Sequence, residues 1–401
     1  MKWEKVRLED CCYSISDGDH QPPPKAQQGI PFVTISNINS MNQLDFSDTM
    51  FVPKEYYQSL DEKRKVRKGD VLYSVVGSFG IPVLIKEERP FVFQRHIAIL
   101  RPKEDIVDSG FLFYTMLNRD FYAKADAVAI GAAQRTVSLG SLRNIKIDVP
   151  SLESQKHIAD ILSAYDDLIE NNQKQIKLLE EAAQRLYKEW FVDLRFPGHE
   201  NTEIVDGVPE GWRTSTVSEV SAILRRGISP KYNEKARGIV INQKCIRQTI
   251  VSYDEARTQE KKYPDELKMM ESDILICSTG AGTLGRVGQI FEAKENVTLD
   301  SHVTLIRANE RVGQQYLFWS LKMQQDYLMS AGKGSTNQLE LSRETIGNCE
   351  ILVPERKMAG QAEKNFAAIH DKMKECSMKI TRLREARDLL LPKLMSGGME
   401  V

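Results

Sequence analysis

Compared with itself, the chain is written twice. Displaced by 203 to 209 residues, Trp3 falls on Trp212, Gly18 on Gly227, GIPFVTISNI (29–38) on GIVINQKCI (238–246) and GDVLYS (69–74) on SDILIC (272–277). Farther along, QRHIAILRP meets DSHVTLIRA, FLFYTM (111–116) meets YLFWSL (316–321), and KIDVP (146–150) meets EILVP (350–354). The order is kept while the offset drifts by only six residues. Such a duplication imposes two similar globular units, and 401 residues are in any case too many for one ordinary compact core.

Each copy ends in a helical pattern. Ser151 is a fitting N-cap, Glu153 stands in the first turn, and no proline or glycine follows until Pro197. Apolar residues recur at alternating steps of three and four through Ile158, Leu162, Tyr165, Ile169, Ile176, Leu179 and Leu186, with Asn172 as the polar member of the seam. Adding 204 gives Phe366, Ile369, Met373, Ile380, Leu383 and Leu390, a second seam that packs on the first. Pro392 is expected to end or kink that helix near its last turn. Asn172 is read either as a register-setting group or as a tolerated defect. The first helix, about 40 residues or about 60 Å, leads to the second unit, so the second helix must run back antiparallel. The expected fold class is α/β (α+β): two tandem, pseudo-twofold related domains separated by a long antiparallel two-helix coiled coil. The boundaries read as 1–150 and 208–354 for the domains, 151–196 for the first helix with a linker to about 207, and 355–396 for the second.

Three catalytic look-alikes fail on context. GAGTLG (280–285) has dinucleotide-loop spacing, and Asp300 stands where a ribose-binding acid belongs. A pyrophosphate cradle needs a helix at its last glycine, whereas RVGQIF and HVTLIRA read as strands, so the glycines are expected to turn strand into strand. GKGST (332–336) lacks the P-loop spacing, and PDELK (264–268) crowds nuclease-type residues into five positions. No catalytic residues and no metal site are expected. The six cysteines show no C-x-x-C spacing and the six histidines no H-x-x-x-H pair.

Hydrophobic and charged contents of 41% and 28% exclude disordered, fibrous and membrane classes. No stretch suits a membrane span and MKWEKVRLED lacks a signal-peptide core, so a cytoplasmic protein is expected. A net charge of −1 argues against coating nucleic acid by bulk electrostatics but leaves room for local basic surfaces.

The GIPF segment, the strand at GD, the Q-x-H-I-x-x-L-R-P stretch, a Gly-rich Gln/Asn loop before the closing V-P, a long helix, WFVDLRFP, and VPEGW opening the second copy together resemble the specificity subunit of type I restriction-modification systems. The resemblance covers nearly the whole chain and lies in the order and duplication of weak motifs. The second copy departs from it in Ala308, where the family often has proline, and in its longer Gly-rich loop. The resemblance implies two target-recognition domains, each reading one half of an asymmetric bipartite sequence in double-stranded DNA. It implies helices that set the spacing and dock two methyltransferase subunits, and restriction/translocase subunits that join them. S-adenosylmethionine, ATP and Mg are expected on those partners, with no cofactor bound by this chain. The sequence also lacks the N/D-P-P-Y/F motif of amino-methyltransferases.

Base reading uses Arg or Lys for guanine and Asn or Gln for adenine. The candidates are Gln134, Arg135 and Thr136 with Asn337 and Gln338, each set after small residues; then Gln94, Arg95 and His96 with Ser301 and His302; then Asp19 and His20. Phosphate candidates are Lys63, Arg64, Lys65, Arg67 and Lys68, and Arg225, Arg226 and Lys231 with Lys235 and Arg237. The competing reading is a coiled-coil scaffold that binds no DNA.

Overall fold

The computed structural model describes residues 3–18, 22–39, 41–132, 134–332 and 339–399. The chain forms two compact units, Met1–Glu170 with Ile380–Val401, and Asn171–Lys379. Each unit therefore holds part of both long helices.

The duplication is visible strand by strand. In the first unit a four-stranded antiparallel sheet runs in the order Cys12–Asp17, Ile97–Pro102, Val71–Ser74, Pro82–Leu84. The second unit repeats it as Ser221–Arg226, Val303–Ala308, Ile274–Cys277, Val287–Gln289. Even the register shift recurs, between Cys12 and Ser14 and between Ser221 and Ile223. A three-stranded sheet, Met50–Val52, Ile30–Val33 and Val92–Phe93, matches Arg257–Gln259, Gly238–Ile241 and Val297–Leu299, with one parallel and one antiparallel pairing each. The central strands IAIL and VTLI are buried on both faces, which explains their unbroken runs of β-branched and aliphatic residues.

The glycines at 280–285 make a strand-to-strand turn. Gly280, Gly282 and Gly285 have φ of 103°, 74° and 75°, and the chain re-enters the sheet antiparallel at Val287. No helix starts there, so the nucleotide-loop reading fails. Gly285 is required for a second reason, because a Cβ would stand 2.4 Å from Met329 N.

The first long helix spans Leu152–Tyr187, with Ser151 Oγ accepting from Ser154 N at 3.3 Å as its cap. A π-helical turn, Lys188–Val192, follows and carries Trp190 and Phe191 into a core with Phe196 and Trp212. The helix thus changes pitch at Lys188. The second helix spans Arg356–Met395, with Pro392 in its last turn. In the first unit Ile158 and Leu162 share a core with Leu390, Leu391 and Leu394, while Asp166 farther along meets Arg387 at 2.5 Å. In the second, Gln175 meets Cys376, and Ala183 and Tyr187 share a core with Ala362 and Phe366. Within each unit the helices are antiparallel. Ile158, Leu162, Ile169, Asn172, Phe366, Met373 and Ile380 are buried; Tyr165, Ile176, Leu179, Leu186, Ile369, Leu383 and Leu390 are half-buried.

All six cysteines are free and buried, and burial pushes the Cys11 and Cys349 thiols up to about 11. Such thiols pack rather than react. No helix is long and apolar enough to cross a membrane, and no metal-ligating cluster occurs among the described residues.

Candidate nucleic-acid interface

In each unit, loops far apart in sequence meet at one end of the four-stranded sheet. In the first, Val75 N donates to His96 O at 2.8 Å, Val137 N to Val75 O at 2.9 Å, and Gly77 N to Arg135 O at 3.0 Å. The second repeats this, with Ser278 N on His302 O at 2.8 Å and Leu341 N on Ser278 O at 2.9 Å. Val76 bridges Thr136 as Thr279 bridges Glu340. Gly18 and Gly227 seal the same crossing: a Cβ on either would stand 2.1 Å from the carbonyl oxygen of Phe93 or Leu299. Backbone must touch backbone here, which is why glycine recurs in both copies.

The structure therefore gathers several sequence candidates. Ile130 and Thr136 close a tight hairpin with Gly131 at φ 99°, and Gln134 and Arg135 lie exposed on it. Arg135 folds back onto Asp126 at 3.1 Å. Gln94 and His96 are half-buried and Arg95 exposed; burial, then Arg95, holds the His96 imidazole below its usual range. Ser301 is half-buried and His302 exposed. His302 N donates to Asp300 Oδ1 at 2.8 Å, and burial pushes the Asp300 carboxyl up while that hydrogen bond opposes the shift. Asp19, His20, Asn337 and Gln338 lie outside the described residues.

The phosphate candidates divide. Lys63 pairs with Asp61, and Lys65 and Arg67 pair with Glu62. Arg64 is also engaged. Arg225 pairs with Glu266, Arg226 with Glu340, and Lys231 with Glu260. Arg67 and Lys68 precede the strand Val71–Ser74, at the end opposite the loop cluster. Arg226 ends its strand beside the cluster, where Nη2 also donates to Leu341 O at 2.7 Å. Among the described residues the side chains of Lys68, Lys235 and Arg237 make no ion pair.

Sequence reasoning missed two groups. One is a buried staple present twice. Arg101 grips Asp70 through two hydrogen bonds of 3.0 Å and donates to Lys65 O at 2.7 Å. Arg307 grips Asp273 at 2.5 and 2.8 Å and donates to Lys268 O at 2.7 Å. The other is a cleft of about 360 Å³ in the second unit, whose walls include Tyr232, Gln243, Lys244, Arg257, Asp300 and His302. The Arg257 guanidinium lies 3.5 Å over the Tyr232 ring. In sequence, Gln243 had only its place after a strand to mark it.

The family model for the type I restriction modification DNA specificity domain matches residues 1–181 and again 209–371. The HindI type I restriction enzyme specificity subunit of Haemophilus influenzae is 25% identical, over 98% of this chain and 99% of its own length. The MjaIX specificity subunit of Methanocaldococcus jannaschii is 24% identical, over 83% of this chain and 78% of its own. The crystal structure of a type I restriction-modification S subunit from M. genitalium shares the fold, with a TM-score of 0.60 at 17% identity, covering 98% of this chain and 96% of that one.

Proposed function

Since the chain belongs to the type I restriction-modification DNA specificity family, we propose that its two loop clusters each read one half of an asymmetric bipartite DNA sequence. The observation that carries this reading is the repeated convergence of loops on one backbone plan with different side chains. Val76 and Thr136 in one unit stand where Thr279 and Glu340 stand in the other. A shared scaffold with unlike tips suits two unlike half-sites. The long helices act as the spacer and as the docking surface for two methyltransferase subunits, with restriction/translocase subunits joining that complex. This chain is non-catalytic; S-adenosylmethionine, ATP and Mg are bound by the partners. Family membership disfavours the scaffold reading.

The test is selection of bound duplexes from a randomised pool, using the chain with its methyltransferase partner. A split motif of two unlike half-sites with a fixed gap is expected. Enrichment of no sequence by a verified complex would overturn DNA recognition.

A further inference from the structure

The loop cluster of the second unit contains a polar relay that the first lacks. Gln243 opens the 3₁₀ turn Gln243–Cys245, which the cap residue Asn242 joins to the strand Gly238–Ile241. Thr279 Oγ1 lies 3.2 Å from Gln243 Oε1 and 2.7 Å from His302 Nδ1. A hydroxyl carries a single proton, and an amide oxygen can only accept. The Thr279 proton therefore goes to Gln243 Oε1, and His302 Nδ1–H donates to Thr279 Oγ1. Two groups remain for an incoming ligand: the Gln243 Nε2 hydrogens and, in the neutral imidazole, the His302 Nε2 lone pair. Gly280, at φ 103°, leaves the amide its space, since a Cβ there would stand 2.8 Å from Gln243 Nε2.

The first unit keeps the backbone and discards the relay. Its 3₁₀ turn, Ile35–Asn37, opens with Ile35, and Val76 replaces Thr279 at the bridge, while His96 matches His302. Neither Ile35 nor Val76 has a side-chain hydrogen-bonding group. The two units thus differ chemically where their loops meet.

We infer that Gln243, held by Thr279 and His302, is a specificity-determining residue of the second domain, presenting amide donors to an acceptor edge in the DNA major groove. Purine N7, guanine O6 and thymine O4 satisfy it; cytosine, whose groove edge offers only the N4 donor, is rejected. This assignment rests on the DNA-reading function proposed above.

The experiment is duplex selection with the full complex carrying Gln243→Glu, Gln243→Ala or Thr279→Val. Glutamate keeps the side chain's length but can only accept, so Gln243→Glu should shift one position of the second half-site toward cytosine by about tenfold. Gln243→Ala should relax that position, and Thr279→Val, by releasing the amide to turn over, should admit cytosine there. Thr279→Ser, which retains the hydroxyl, should restore the original preference. The first half-site is the internal control for folding and assembly and should not change. Unaltered preference throughout the second half-site in Gln243→Glu and Gln243→Ala, with the first half-site still selected, overturns the assignment and leaves the proposed function standing. Absence of any split motif for the unaltered complex defeats the proposed function instead.

Discussion

At the scale of single residues, the strongest constraints are those that hold loops rather than those that reach outward. The Asp70–Arg101 and Asp273–Arg307 pairs tie segments 62–68 and 265–268 to the start of a central strand in each sheet. Asp70 and Asp273 are each 2% exposed, so removing one partner leaves a buried charge without compensation. Arg101→Ala, which leaves the Asp70 carboxylate buried without its cation, should lower unfolding stability by about 3–5 kcal/mol in a denaturant titration. Gly227→Ala forces a Cβ against two carbonyls, of Leu299 and Asp300, and should cost about 1–3 kcal/mol in the same measurement. Gly18 and Gly227 were legible in the sequence as a recurring position. The staples were not, because each joins residues more than thirty positions apart and neither Asp nor Arg on its own announces a partner.

At the scale of elements, the long helices were the most legible feature, since an apolar seam at alternating steps of three and four matches the turn of a helix and not the two-residue repeat of a strand. The sequence placed Asn172 in that seam but did not show which polar groups pair across the helices. Arg387 of the second helix meets Asp166, whose other oxygen accepts from Tyr114 Oη at 2.7 Å. His370 lies buried in the second unit, with Nδ1 3.1 Å from Gln289 Oε1 and its ring 4.3 Å from that of Phe291. Burial holds its imidazole below the ordinary value, outweighing Asp371 and Glu271, which pull it up, while Lys374 adds to the lowering. The unfolded imidazole titrates near 6.5, about the reference value, and the folded one lower. The unfolded chain therefore takes the proton first, and stability falls as pH drops from about 6.5 toward the folded value. Chemical denaturation at pH 7.5 and 5.5 should show a smaller loss for His370→Gln than for the unaltered chain. An equal loss in both would assign the acid sensitivity to other groups.

At the scale of the whole molecule, a net charge of −1 agrees with the internal pairing of most basic candidates. Arg225, Arg226 and Lys231 each have a carboxylate partner, whereas Lys68, Lys235 and Arg237 have none among the described residues. Phosphate contact releases about one counterion per cation. Lys235→Ala should therefore weaken binding to all sequences and lower the slope of log affinity against log salt by about one. Arg225→Ala should change that slope less, because Arg225 gives up an existing partner to reach phosphate.

The sequence by itself determined the duplication, the two long helices, the strand-to-strand turn at 280–285 and the family. Each of these is written in local periodicity or in an order of motifs that survives without knowledge of contacts. Tertiary structure alone decided which loops meet, which cations are already neutralised, and that Gln243, Thr279 and His302 form one hydrogen-bonded unit. Those residues are separated by 36 and 23 positions. Only the pairing of strands brings them within reach of one another, and the direction of a proton in their relay depends on that closeness.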